Sequence, residues 1–203
     1  MSLNDVIKKR RSVRKFLSQI VPGEVVLEVL VASGWSPSAH NSQPWRFIIL
    51  ENPSVKRELA EAMADAWVVD AEKDGAKVDA KMRQERVDRF ANSPALILAC
   101  TTMEGLRKFP DQKRQMFEHD LAQQSLGAAM QNLLLTAHVL GLGACWFCAP
   151  GFCKETVRKV LGIPEAVDPE AFVIVGYSAE TPSVPQKKPL EEYCFRDMWG
   201  LKL

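Results

Sequence analysis

The chain has 203 residues, of which 47% are apolar and 25% charged, and its net charge is +1. That length suits one domain with a sizeable core, and the composition excludes an intrinsically disordered chain. A balance so close to neutral offers no general field for nucleic acid or an anionic membrane, so any bound anion must be gripped by a local cluster.

No apolar run approaches the roughly 20 residues that span a bilayer. The segment Met1 to Lys9 carries charge where a secretory leader needs an apolar stretch, and the reading is a cytoplasmic protein. The cysteines are Cys100, Cys145, Cys148, Cys153 and Cys194; an odd number without a leader points to reduced thiols.

In chain order, Ser2 with Asp5 has the spacing of a capping box and opens a short helix ending in Lys8, Lys9 and Arg10. A second helix runs from about Glu24 through Leu27, Leu30 and Val31 and stops before Ser36-Pro37-Ser38. Phe47 to Leu50 reads as a short strand, and Val55 to Phe90 as a charged, mostly helical region. Pro94 to Thr101 contains an unbroken apolar run suited to a central strand. Asp111 to Leu140 is proline-free and reads as the dominant helix, ended by Gly141 and Gly143. Ala144 to Cys148 reads as a strand, Lys154 to Leu161 as a helix and Phe172 to Val175 as a last strand.

These elements alternate irregularly, which predicts an α+β three-layer sandwich in a single domain over residues 1–203. The tail carries Tyr193, Phe195, Met198 and Trp199. So much aromatic area predicts packing, either on the tail's own core or on a partner subunit.

Four constellations carry chemistry. In an extended segment Arg10, Ser12 and Arg14 fall on one side, and two guanidinium forks with a hydroxyl suit a phosphate; a solvated basic face or a nucleic-acid patch is the alternative. Ser36 to Trp45 is a proline-stiffened loop offering hydroxyl, imidazole and amide groups to a polar heterocycle, or else an ordinary connection with Trp45 as a core plug. Gly141 to Pro150 combines close backbone approach with a strand that can offer N–H groups to a ring. A Cys145/Cys148 dithiol or metal knuckle is the rival there, but on a strand these two thiols face opposite ways, and no second such pair exists. Small buried hydrophobes is the better reading of them, and no metal is expected. Finally, Lys187 or Lys188 could close over a phosphate or be solvated. No catalytic triad, Walker loop or metalloprotease helix is present, so a cofactor is left to supply the chemistry.

The order of these segments resembles the nitroreductase family. The residues that carry it are Arg10-Arg11-Ser12-Val13-Arg14-Lys15-Phe16, Ser36-Pro37-Ser38-Ala39-His40-Asn41-Ser42-Gln43-Pro44-Trp45 and the Gly127 to Leu134 run. Gly141 to Trp146, Leu161-Gly162-Ile163-Pro164 and Val173 to Tyr177 extend it over essentially the whole chain. The resemblance implies a central, mostly antiparallel sheet flanked by helices, in an intertwined homodimer with FMN at the interface. It implies that Arg10, Arg11, Ser12 and Arg14 hold the phosphate and ribityl chain, and that Pro37, Ser38, Asn41 and Gln43 reach the flavin from the opposite subunit. Cys145, Trp146 and Phe147 would lie along the isoalloxazine, and Lys187 or Lys188 would return to the phosphate. Phe109-Pro110-Asp111 and Met116-Phe117-Glu118 also resemble the nitroreductase-like domain fused to the γ-glutamyl ligase of deazaflavin coenzyme synthesis, although the ligase part is missing from this chain.

The implied activity passes hydride from NAD(P)H through flavin N5 to a small electron-poor acceptor such as a nitroaromatic, quinone or enone. No side chain is expected to act as a nucleophile. The rivals are a flavin- or deazaflavin-binding protein without turnover, and a basic nucleic-acid adaptor.

Overall fold

The computed structural model describes residues 2–203. Helix α1 (Leu3–Lys9) opens on the capping box read from sequence: Ser2 Oγ accepts from the Asp5 N–H at 3.2 Å, and the Asp5 carboxylate accepts from the Ser2 N–H at 3.2 Å. Helix α2 (Gly23–Gly34) ends before Pro37, and a 3₁₀ turn at Ala39–Asn41 leads into strand β1 (Trp45–Leu50). Asn52 caps α3 (Pro53–Lys73), Asp79 caps α4 (Ala80–Ala91) and Asp111 caps α5 (Gln112–Val139), each through a side-chain oxygen. Strand β2 (Ala95–Thr102) separates α4 from α5, and β3 (Gly143–Phe147) follows α5. A 3₁₀ turn at Ala149–Phe152 joins β3 to α6 (Lys154–Leu161). Gly162, at φ 65°, ends α6 in the left-handed conformation and releases the chain toward β4 (Val167–Gly176).

The sheet order is β1-β2-β4-β3, and every neighbouring pair is antiparallel. β2 lies inside, and its residues Leu96 to Cys100 are all fully buried. Alternation divides them between two cores. Ala95, Ile97 and Ala99 pack with Val29 of α2 and Met130 and Leu133 of α5. Leu96, Leu98 and Cys100 pack with Leu59 of α3, Val87 of α4 and Val157 of α6. Helices therefore cover both faces, giving the α+β three-layer sandwich expected. Each large side chain buried this way stabilises the fold by about 1.5–3 kcal/mol.

The charged, mostly helical region is two helices, with the chain leaving helical conformation between Lys73 and Ala80. One expectation needs correction. The last strand spans Val167–Gly176, far more than Phe172 to Val175. Asp168-Pro169-Glu170 disguises its first half, yet Pro169 sits opposite Cys100, where the register shifts between Ala99 and Cys100. A bulge tolerates the missing proline N–H.

The tail does not return to its own core: Trp199 is 92% exposed, and its ring contacts Phe195 within the tail at 4.8 Å. Leu27 and Val31 of α2 and the neighbouring Trp35 are also exposed. No helix among the described residues is long and apolar enough to cross a membrane.

Candidate functional site

After α1 the chain runs extended along the free edge of β3. Ser12 bridges Ala144 in parallel, and the Val13 N–H donates to the Ala144 carbonyl at 3.0 Å. Gly143 makes this approach possible, because a Cβ there would lie 2.8 Å from the Val13 side chain. A second set of stitches follows: Leu17 N–H donates to Tyr177 O, and Ala179 N–H to Lys15 O, both at 2.9 Å. Glu180 completes it, since its Oε1 accepts from the Arg14 N–H at 2.5 Å and the Lys15 N–H at 3.0 Å. These two backbone bonds, with the charges of Lys15 and Arg14, hold its carboxyl below the ordinary value.

Val13 is buried beneath this arm, while Arg14 stays exposed. Arg11 turns away: its guanidinium donates at 2.7 Å to the carbonyls of both Lys8 and Arg10, closing the end of α1. Positive charge gathers at β3 all the same. Burial raises the Cys145 thiol, and Arg14, Arg10 and Arg89 oppose that shift. Burial also lowers the His138 pKa, with Arg10, Arg11 and Lys9 adding to it. His138 Nε2 is buried without a hydrogen-bond partner among the described residues. The cations outnumber the one carboxylate named beside them, Glu180, and the resulting positive field fits a phosphate-bearing cofactor.

The second constellation is a strained loop. His40, Asn41 and Gln43 have φ of 56°, 53° and 46°, which costs roughly 1 kcal/mol or more each. Its surroundings enforce that shape. Ser38 Oγ accepts from the Gln43 N–H at 3.0 Å, and Ser125 Oγ of α5 accepts from the Ala39 N–H at 3.2 Å. Asn132 of α5 donates through Nδ2 to Ser36 Oγ at 2.8 Å, and the buried Glu118 lies 3.5 Å from His40 Nε2. Trp45 is indeed a core plug, but Pro37, Asn41 and Gln43 are exposed, and Ser38 is half-buried.

On β3, Cys145 is buried and Trp146 is only partly covered. The Phe147 ring meets Phe90 edge-on at 5.5 Å, and the Arg89 guanidinium lies 5.7 Å from its centre. The reading of both thiols as small buried residues on the strand holds for Cys145 but is corrected for Cys148, which lies past the strand end and is exposed; all five thiols are free. Lys187 and Lys188 are exposed in the tail, and Lys188 lies 3.9 Å from Glu192, another tail residue.

Within one chain the arm and the loop are far apart. The loop enters β1 at Trp45, which pairs with Thr101, itself opposite Asp168 of β4. The arm lies beside Ala144, which pairs with Val175. They therefore occupy opposite edges and opposite ends of the sheet. At ~4.8 Å per strand and ~3.3 Å per residue, their separation is on the order of 30 Å.

Sequence reasoning missed Arg89, Glu180 and the α5 residues that brace the loop. Glu180 acts through contacts 165 and 166 positions back, which no local pattern reveals. A further grouping, His119, Asp168 and Glu170, has ligand atoms within 4.8 Å of one another among the described residues. Lys154 Nζ stands there at 2.7 Å from Glu170 and 3.6 Å from Asp168, supplying the positive charge.

The family model for the nitroreductase family matches residues 7–177. The chain belongs to the nitroreductase family. A protein of Methanothermobacter thermautotrophicus, named as a candidate NADH dehydrogenase/NAD(P)H nitroreductase, is 32% identical over 184 residues, covering 90% of this chain and 80% of that one. A candidate NAD(P)H nitroreductase of Bacillus subtilis is 27% identical over 194 residues, covering 94% and 91% of the two chains. Among solved structures, a BluB-like flavoprotein from Clostridium difficile superposes with a TM-score of 0.79 at 27% identity, covering 98% of this chain and 100% of its own. A nitroreductase-fold protein of Desulfovibrio desulfuricans, solved in complex with FMN, superposes with a TM-score of 0.73 at 24% identity, over 98% of each chain.

Proposed function

We propose that this nitroreductase-family chain is an FMN-dependent NAD(P)H oxidoreductase, one domain over residues 1–203, working as a homodimer with a cleft shared between subunits. The observation that carries this reading is the separation of arm and loop. Two segments that both suit a flavin stand at opposite corners of one sheet, and a two-fold partner is the simplest way to bring them together. The exposed Leu27, Val31 and Trp35 give such a partner apolar surface to cover, as do the aromatic residues of the tail. The FMN complex of the Desulfovibrio neighbour and the nicotinamide named for the two relatives support the choice of cofactor and donor.

In this reading Arg10, Ser12 and Arg14 receive the phosphate, while Arg11 fixes the end of α1 behind them. Trp146, Phe147 and the backbone at Cys145 lie along the ring. Pro37, Ser38, Asn41 and Gln43 come from the partner subunit, held in their strained shape by α5. Lys187 or Lys188 reaches the phosphate as the tail crosses the partner. Bound FMN would supply reversible two-electron chemistry between a nicotinamide donor and an electron-poor acceptor. The chain contributes position, charge and exclusion of water.

The test is spectroscopic. Purified protein is expected to show flavin absorption, to release FMN on denaturation, and to bleach when NADH or NADPH is added without oxygen. A nitroaromatic or quinone should then restore the colour. A flavin that neither nicotinamide reduces would leave a flavin-carrying protein without this turnover.

A further inference from the structure

Behind the turn at Ala149–Phe152, α3 and α4 leave a cavity of about 640 Å³ between them. Ala60 and Ala64 of α3 face it where longer side chains would have closed the gap, and Met63, Phe90 and Phe152 complete an apolar wall. The volume lies in the range of small-molecule sites. Its lining has one cation: the Arg86 guanidinium carbon lies 3.5 Å from the centre of the Trp67 ring.

That contact uses the flat face of the guanidinium and leaves its N–H edge free. Among the described residues no carboxylate pairs with Arg86 and no protein acceptor takes a hydrogen bond from it. Burial and the neighbouring charge of Arg89 both lower its pKa, with no carboxylate working the other way. A half-buried guanidinium in an apolar cavity, stacked but otherwise unanswered, is arranged for an anion from outside the chain. Asp70 and Asp74 also line the cavity and set a limit, because they repel any further negative charge. The cavity also lies next to the proposed flavin cleft. Cys148 and Phe152 line both it and the smaller cavity that contains Trp146.

We propose that this cavity binds the electron acceptor, and that the acceptor is a flat aromatic or quinonoid molecule bearing a single anionic group received by the N–H edge of Arg86. The assignment rests on the oxidoreductase reading above. Trp67, Phe90 and Phe152 supply the apolar and π surface for the ring. Arg86 supplies bidentate recognition of a carboxylate or an equivalent oxyanion. Molecules carrying several phosphates are disfavoured by Asp70 and Asp74, which separates the acceptor from the nucleotide part of the donor.

The probes are 4-nitrobenzoate and nitrobenzene, which differ by the carboxylate alone, titrated calorimetrically into the FMN-loaded protein. The expected result is binding of 4-nitrobenzoate about tenfold tighter than nitrobenzene. Arg86→Gln should abolish that preference while leaving FMN content and the affinity for nitrobenzene unchanged. Ala64→Leu, which fills the cavity and keeps Arg86, should weaken both compounds. In turnover, Arg86→Gln should raise KM for 4-nitrobenzoate about tenfold with kcat retained. Equal loss for both compounds in Arg86→Gln, no loss for either, or release of FMN by that variant would each overturn the assignment. If the wild-type chain takes up no FMN, it is the oxidoreductase reading that fails. The same titration on the FMN-free chain then decides the cavity alone, by whether the carboxylate preference survives.

Discussion

The arm at Arg10 to Arg14 and the tail around Lys187 and Lys188 carry similar charge and meet opposite structural fates. The arm is stitched to β3 through Val13 and Ala144, and to the segment after β4 through Leu17, Ala179 and Glu180. The tail leaves the sheet after Gly176 and ends among exposed aromatics, with Trp199 92% in solvent. In the proposed reading the arm's guanidinium groups extend from a backbone that hydrogen bonds hold in place, whereas the tail's lysines need a second surface to hold them.

The largest expected effect comes from removing the arm's charge. Arg10→Met with Arg14→Met should lower FMN affinity by roughly a hundredfold or more, since each removes a charge-assisted contact, while the melting temperature of the FMN-free protein stays close to wild type. Next is the tail. A chain ending at Thr181 should fold, because the tail adds little to the core, yet sediment as a monomer and lose most of its FMN. A truncated chain that remains a loaded dimer would break the contrast between arm and tail.

Gly143→Ala attacks the arm's seat. The added Cβ would meet Val13 at 2.8 Å, so the arm must lift, at a cost of about 1–3 kcal/mol in denaturant unfolding together with weaker FMN binding. A smaller effect is expected of Glu180→Gln: FMN affinity should fall roughly fivefold at neutral pH. Because its folded pKa is lowered, Glu180 contributes fully above the ordinary carboxylate range, and that contribution fades as pH falls through the folded value. The variant should therefore resemble wild type in acid and differ from it at neutrality.

The smallest effect is a titration. His138 is held below the ordinary imidazole value by burial and by Arg10, Arg11 and Lys9. Its folding penalty is absent well above pH 6.5 or so and grows as pH drops below that value. FMN phosphate beside Arg10 should neutralise part of that field and raise the His138 pKa, measurable by NMR titration with and without FMN.

Much of this was legible where the signal is local. Ser2 and Asp5 marked the first cap, the proline-free run from Asp111 marked α5, and Lys154 to Leu161 marked α6 to the residue. The apolar run of β2 disclosed the centre of the sheet. What stayed hidden depends on distant partners. The first half of β4 reads as a loop because a proline bulge breaks its pattern, and only pairing with β2 rescues it. Arg11 is indistinguishable from Arg10 in sequence, but the carbonyls at the end of α1 claim one guanidinium and not the other. Arg86 and Arg89 sit in a helix of mixed charge, and only packing against Trp67 and Phe147 sets them apart from their neighbours.

The shared cleft can be tested by complementation. One subunit would carry Arg10→Met and Arg14→Met, its partner would carry Asn41→Ala and Gln43→Ala, and differently tagged copies would allow the mixed dimer to be isolated. Each parent homodimer should be nearly free of FMN. The mixed dimer should regain FMN in one of its two clefts, the one that joins the intact arm to the intact loop. A mixed dimer as empty as its parents would contradict the account.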